Sequence, residues 1–297
     1  MFTDSSNPVI ISAKERVFGL TSVDDKLFLL LGQNDDQVAV YSINDYQLMR
    51  HFRLLGFTKD SDNDMTSCVQ RNCLYASNYQ DKCVLRYDLS SKNVSKLGIQ
   101  GKPRGLSVTA SSSNLLVACD SGPAEPAKLM VFIKKDDDSC EDVQEIELHP
   151  TIKNVWMAVQ MTTGHFVLCH GGLLNPLHRV CMVDVEGRVT RSYGGQRGSG
   201  VLQLNCPRHL AVDEDSRFIF VADRGNNRIV LLSPTLEFVR YVSEGVSAPH
   251  RLYFHHATRR LFVGQRNGDV AVMQMEMESD KSSVAQVHWE EVRLEDV

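Results

Sequence analysis

One repeat constrains what this chain can fold into more than any other feature. Short apolar runs each end in a small residue and then a polar one: LFLLLGQ to Gln33, LYASN to Asn78, LLVACD to Asp120, FVLCH to His170, FIFVAD to Asp223 and LFVGQ to Gln265. After each comes a polar turn and a second alternating run, QVAVYSI, CVLRYDL, KLMVFIK, RVCMVDV, RIVLLSP and DVAVMQM. Alternation with period two on both sides of a turn reads as a hairpin. The first runs begin at Leu27, Leu74, Leu115, Phe166, Phe218 and Leu261, spaced 47, 41, 51, 52 and 43 residues apart. A shorter strand precedes each, starting at Arg16, Met65, Pro103, Val155, Pro207 and Pro249, and a more polar fourth strand follows, as in QLMRHFRL from Gln47 and RVTRSYGG from Arg188. Four strands in a period in the forties make a propeller blade rather than a helical repeat. The expectation is an all-β, six-bladed β-propeller of four-stranded antiparallel blades, a single domain over residues 1–297.

Two further expectations follow from that ring. The small residues Gly32, Ser77, Cys119, Cys169, Ala222 and Gly264 should occupy equivalent places on the six second strands. Closure by strand exchange between the termini would remove the open sheet edge; PVIIS near Pro8 and the tail around Val284 are both strand-like, and the N-terminal segment is the favoured donor.

The fifth unit carries a resemblance. It reads GVLQLNCPRHLAVDEDSRFIFVADRGNNRIVLLSPTLEFVRYV from Gly200, and Pro207, Val212, Asp213, Val221, Ala222, Asp223, Gly225, Asn226, Asn227, Arg228 and Ile229 match the pattern of an NHL repeat. The sixth unit matches in part, through Pro249, Val263, Gly264 and Asn267, and the first four keep only the period. The chain thus resembles the NHL domains of tripartite-motif and related proteins, and the resemblance implies an acidic protein segment, or single-stranded or hairpin RNA, as ligand. It also brings in metal-dependent hydrolases, lactonases and an amidating lyase built on related propellers. Independently of any family, Asp223 can accept backbone N–H groups across the turn, and Arg228 is placed to pair with it.

Chemistry is weakly signalled. A cation in a closed ring needs several oxygen ligands, but the polar residues that end the second strands are Gln33, Asn78, Asp120, His170, Asp223 and Gln265, of which only two are carboxylates. The first-strand positions taken as equivalent to Arg208, namely Arg16, Met65, Arg104, Val155 and His250, are mostly cationic or apolar. No helical His pair, phosphate-binding glycine loop or nucleophile elbow is present. No catalytic residue, metal or other cofactor is therefore expected. The eight cysteines contain no C-x-x-C, and Cys119, Cys169 and Cys181 lie in apolar runs, as reduced core thiols of a cytoplasmic protein would. The N-terminal MFTDSSNPVI has neither a basic start nor an apolar stretch, and the longest strongly apolar run is about Leu27–Leu31, so neither a signal peptide nor a membrane span is expected.

Charge points to binding. The net charge of −5 argues against duplex DNA, yet residues 154–275 contain no Lys and thirteen Arg against nine Asp and Glu. In a four-stranded blade the start of the innermost strand and the turn between strands two and three share one end of the disc. That end should collect Arg16, Arg104, Arg208, His250 and Arg251 around the channel, with Lys128, His170, Arg179, Arg224, Arg228 and Arg266 on the neighbouring turns. Against them stand Asp35, Asp36, Asp81, Asp120, Asp223 and Asp269. A basic face on an acidic protein steers an acidic partner, so a recognition or scaffold propeller binding an acidic protein segment is the leading expectation. RNA would need exposed stacking rings; Tyr79 and Tyr253 are the candidates, with Trp156 at the channel mouth but expected to be buried in the core.

Overall fold

The computed structural model describes residues 2–4, 8–32, 37–109, 112–120, 125–133, 142–172, 175–242 and 246–277. Gln33, Asp35, Asp36, Cys140 and the strand-like segment near Val284 lie outside the described residues. Among those described, six antiparallel sheets are arranged as the blades of a propeller. Their innermost strands are Val17–Val23, Met65–Cys68, Lys102–Val108, Val155–Gln160, Pro207–Val212 and Pro249–His255. The second strands are Lys26–Leu31, Cys73–Asn78, Leu115–Asp120, Phe166–His170, Ile219–Asp223 and Arg260–Gln265.

The second and third strands are apolar almost throughout because both of their faces are covered. In blade five, Phe220, Ala222, Ile229 and Leu231 pack against Leu252, Leu261 and Val263 of blade six. The alternate residues Ile219, Val221, Val230 and Leu232 pack against Val167, Cys169 and Val180 of blade four. Side chains that alternate across a strand thus serve two interfaces at once, and each neighbouring pair of blades shares one apolar cluster. The outer strands have only one neighbour and are more exposed, as in Leu48–Arg53, where Phe52 alone is half-buried.

The N-terminus closes the ring. Blade six draws three strands from the end of the chain, and the outer edge of Asp269–Met277 is completed by Val9–Ser12 against Asp269–Val272 and by Phe2–Asp4 against Met275–Met277, both antiparallel. Ile11 is the residue of Val9–Ser12 that turns inward, at 6% exposure.

The register corrects two details of the repeat. Leu20, Met65, Leu106, Ala158, Leu210 and Leu252 are equivalent, each packing onto the preceding blade. Counting from them, Leu30, Ser77, Ala118, Cys169, Ala222 and Gly264 share one place on the second strands, opposite Gly19, Asp64, Gly105, Met157, His209 and Arg251. Cys119 is one residue out and faces blade two instead of blade four. Gly32 lies two residues beyond Leu30, just past its strand. The second correction concerns the row that holds Arg208. Its equivalents are Phe18, Asn63, Arg104, Trp156 and His250; Met65 and Val155 are interblade core residues, and Arg16 precedes the row by two. The blade-to-blade loops differ in length, so counting from the first strand residue loses the phase.

Two of the channel-facing positions require glycine. A Cβ on Gly19 would sit 2.3 Å from the Cβ of Met65, and one on Gly105 would sit 2.6 Å from the Cα of Met157. The innermost strands converge there, and their missing side chains leave room for the larger groups across the ring.

Candidate functional site

The innermost strands deliver two layers of charge to one end of the channel. In the deeper layer Asp64, 1% exposed, accepts the Leu106 N–H at 2.9 Å and faces Arg251 Nε at 3.2 Å and His209 Nε2 at 3.3 Å. Burial opposes its ionisation, but His209 and Arg251 together hold its carboxyl below the usual carboxylate range. His209 repeats the role of Asp64 in blade five, its Nδ1 accepting the N–H of Leu252 at 3.3 Å. Arg251 also donates to the carbonyls of Phe18 at 2.6 Å, His250 at 2.8 Å and Asn63. This layer ties blades one, two, three, five and six together across the channel.

The upper layer is wider. Asp62 bridges Arg104 at 3.3 Å and Arg208 at 3.0 Å, and Asp120 takes a second contact from Arg104 at 2.8 Å. The guanidinium carbons of Arg208 and Arg104 lie 3.3 and 3.9 Å from the Trp156 ring centroid. Trp156 is therefore not the core residue expected of it: half-buried at the mouth, it donates its indole N–H to the Gly171 carbonyl and carries two cations. Burial, then repulsion from Arg251, Arg224 and Arg104, draws Arg208 down to about 9 despite Asp62. Tyr79 is covered similarly, by Lys102 at 4.8 Å and Arg104 at 5.4 Å.

His250 sits between two arginines. Arg251 Nη1 is 2.7 Å from its Nδ1 and Arg16 Nη2 is 2.9 Å from its Nε2. Burial, followed by the charges of Arg251, Arg208, Arg16 and Arg224, keeps the ring neutral, far below its usual range. Arg16 is itself lowered, first by burial and then by Arg251, Arg266 and Arg224. The blade-five and blade-six turns thus bring Arg224 and Arg266 electrostatically near Arg16, as the topology requires.

The other expected residues divide by what holds them. Arg228 is a clamp: it pairs with Asp223 at 2.8 Å, donates to Ser199, Gly200 and Gln203 carbonyls at 2.9, 3.4 and 2.9 Å, and lies on Tyr241. Arg179 donates to His170 Nε2 at 3.1 Å and to Thr151 at 3.1 Å, and burial with this neighbour pushes His170 down to about 3. Lys128 pairs with Glu145 on the outer strand at 3.1 Å. Arg16 meets the neutral His250 and lies 5.3 Å from the Phe18 ring centroid, and no side-chain hydrogen bond or ion pair joins Arg224 or Arg266 to a described residue. Asp62, Asn63 and Asp64 are the residues missed from sequence. The signal was present, since Met65 takes the place of Leu210 and counting back from it puts SDND on the channel.

Tyr253 is not at this mouth. It lies toward the opposite end of its strand, bonded to Ser22 at 2.6 Å, where two clefts of about 240 and 270 Å³ share Thr109 and Glu214. Asp213, Asp215 and His256 approach one another closely enough for a cation, but Arg259 already spans Asp213 at 2.9 and 2.8 Å.

The NHL repeat family matches residues 204–230, the blade that carries the Asp223–Arg228 clamp. Many solved structures share the architecture, two of which illustrate it. One is described as "Streptogramin B lyase structure", with TM-score 0.62 and 9% identity over 91% of this chain and 98% of that one. The other is Kuenenia stuttgartiensis hydrazine synthase, with TM-score 0.62 and 12% identity over 89% and 97%. At such identities the likeness is one of fold. Comparison with curated proteins gives no match. Among the described residues no helix is long and apolar enough to cross a membrane.

Proposed function

We propose that this NHL-repeat six-bladed propeller is a cytoplasmic, non-catalytic recognition module that binds an acidic protein segment on the arginine-rich mouth of its channel. One observation carries the reading. Asp62, Asp64 and Asp120 are each committed to arginine, whereas Arg16, Arg224 and Arg266 face the mouth without a carboxylate partner among the described residues. The surplus is positive in a chain of net charge −5, so an acidic partner is drawn to this face. Carboxylates already bonded to guanidinium groups are poor ligands for a catalytic cation, which favours binding over the lyase and hydrolase chemistry found on related propellers. The aromatic rings of the mouth already carry Arg104, Arg208 and Lys102, so RNA bases lack open platforms.

The test is capture of partners from a lysate by the intact protein, with and without nuclease, alongside titration of a Glu-rich peptide. The Arg224→Glu, Arg266→Glu double variant should bind that peptide about ten-fold or more weakly at low ionic strength and show a flatter salt profile. Unchanged peptide affinity would remove this face. Loss of captured partners on nuclease treatment would favour RNA, and a melting temperature lowered by a chelator would favour a metal enzyme.

A further inference from the structure

Arg16, one of the three arginines without a carboxylate partner among the described residues, meets a histidine whose hydrogen bonding is incomplete. Arg251 is fixed by Asp64 and by the carbonyls of Phe18, Asn63 and His250, and its Nη1 reaches His250 Nδ1 at 2.7 Å. A guanidinium only donates and a neutral imidazole has one accepting nitrogen, so His250 can accept from Arg251 or from Arg16 but not from both. Whichever nitrogen carries the proton therefore meets a second donor, Arg251 Nη1 at 2.7 Å or Arg16 Nη2 at 2.9 Å. Two donors held face to face in a buried setting are unfavourable until an acceptor joins them. The Nε atoms of Arg16, Arg208 and Arg224 are buried and likewise without an acceptor among the described residues. Arg224 and Arg266 lie on the blade-five and blade-six turns, and their charges act on Arg16.

We propose that Arg16, seated against His250, together with Arg224 and Arg266 forms an oxyanion site for a phosphoryl group carried by the acidic segment, a phosphoserine or phosphothreonine. The inference rests on the preceding reading that this mouth binds an acidic protein segment, and names the group anchored there. A carboxylate offers one negative charge and is matched by one bidentate arginine. A phosphoryl group offers nearly two charges and three acceptor oxygens, which matches several guanidinium groups at once. The repulsion among Arg16, Arg224 and Arg266, which with burial holds Arg16 below its ordinary range, is relieved by an anion between them.

The experiment titrates the intact protein with inorganic phosphate and with acetate at constant ionic strength, followed by phosphorus-31 line broadening for phosphate and by melting temperature for both. Saturable phosphate binding, about ten-fold or more tighter than acetate, is expected. Arg224→Gln with Arg266→Gln should lose about ten-fold in phosphate affinity, while the corresponding double lysine variant, which keeps the charge, should retain most of it. Melting temperatures of both variants report that the ring is intact. Phosphate and acetate binding alike, or phosphate affinity unchanged in the glutamine variant, would overturn the site. The Glu-rich peptide separates the two claims. Peptide binding that is lost on charge reversal, together with absent phosphate binding, overturns the phosphoryl site and leaves the acidic-segment reading standing. Saturable phosphate binding with no peptide binding overturns that reading and leaves the oxyanion site.

Discussion

Replacing Asp64 by alanine tests whether the deeper charged layer holds the innermost strands together. Asp64 is 1% exposed, and its carboxylate accepts one backbone N–H and faces both Arg251 and His209 within 3.3 Å. The alanine variant leaves the Leu106 N–H unpaired and Arg251, 4% exposed, with its carbonyl contacts but no counter-charge in its own layer. Breaking a buried pair by removing one partner costs about 3 to 5 kcal/mol. For a domain of this size that corresponds to a melting temperature lower by roughly 6 to 10 °C. The assay is urea unfolding and calorimetry of Asp64→Ala, of Arg251→Met and of the double variant. Since the double variant has no stranded charge, the cycle should show a coupling of about 2 kcal/mol or more. The effect also has a direction in pH. The Asp64 carboxyl is depressed in the fold, so its contribution is complete above the unfolded value of about 3.9 and disappears as pH falls through the folded value. The gap between wild type and Asp64→Ala should accordingly narrow in strong acid. A loss under about 1 kcal/mol, or strict additivity in the cycle, would refute the account.

Three more outcomes are expected. His170 is fully buried and protonates only near 3 in the fold, whereas the unfolded chain takes up that proton near 6.5, so stability should fall with pH below about 6.5, by about 3 kcal/mol at pH 4 from this group; His170→Gln should recover that share in acid urea titrations. Gly105→Ala puts a methyl 2.4 Å from the Trp156 carbonyl oxygen and 2.6 Å from the Met157 Cα, and should lower the unfolding free energy by about 1 to 3 kcal/mol, with no loss expected if the strands could separate freely. The thiols of Cys119 and Cys169 are pushed up to about 12 and that of Cys181 to about 11 by burial, so these should react with a thiol reagent only after denaturation; all eight cysteines should then titrate without reductant, and a stable disulfide in freshly isolated protein would contradict the cytoplasmic assignment.

Sequence alone determined the architecture, because a propeller blade is a local object. Its hairpins write their alternation into contiguous residues, and six copies of FIFVAD-like runs at a period in the forties leave little else for the chain to form. The pairing of Asp223 with Arg228 was legible for the same reason, since five residues and one turn separate them. What crosses the ring was not legible. Asp62 meets Arg208, and Asp64 meets both His209 and Arg251, across separations of nearly half the chain or more, and only ring closure brings them within 3.0 to 3.3 Å. Phase was lost where loops vary: Cys119 slipped one residue and Asn63 gave way to Met65, because a period-two pattern looks the same from either face until a neighbouring blade chooses one. Local charge gave only the expectation that one end of the disc is basic. Tertiary structure alone decided that Arg104, Arg208 and Arg251 are spent inside the fold, and that Arg16, Arg224 and Arg266 have no carboxylate partner among the described residues, since whether an arginine is committed depends on carboxylates and carbonyls that the chain supplies from other blades.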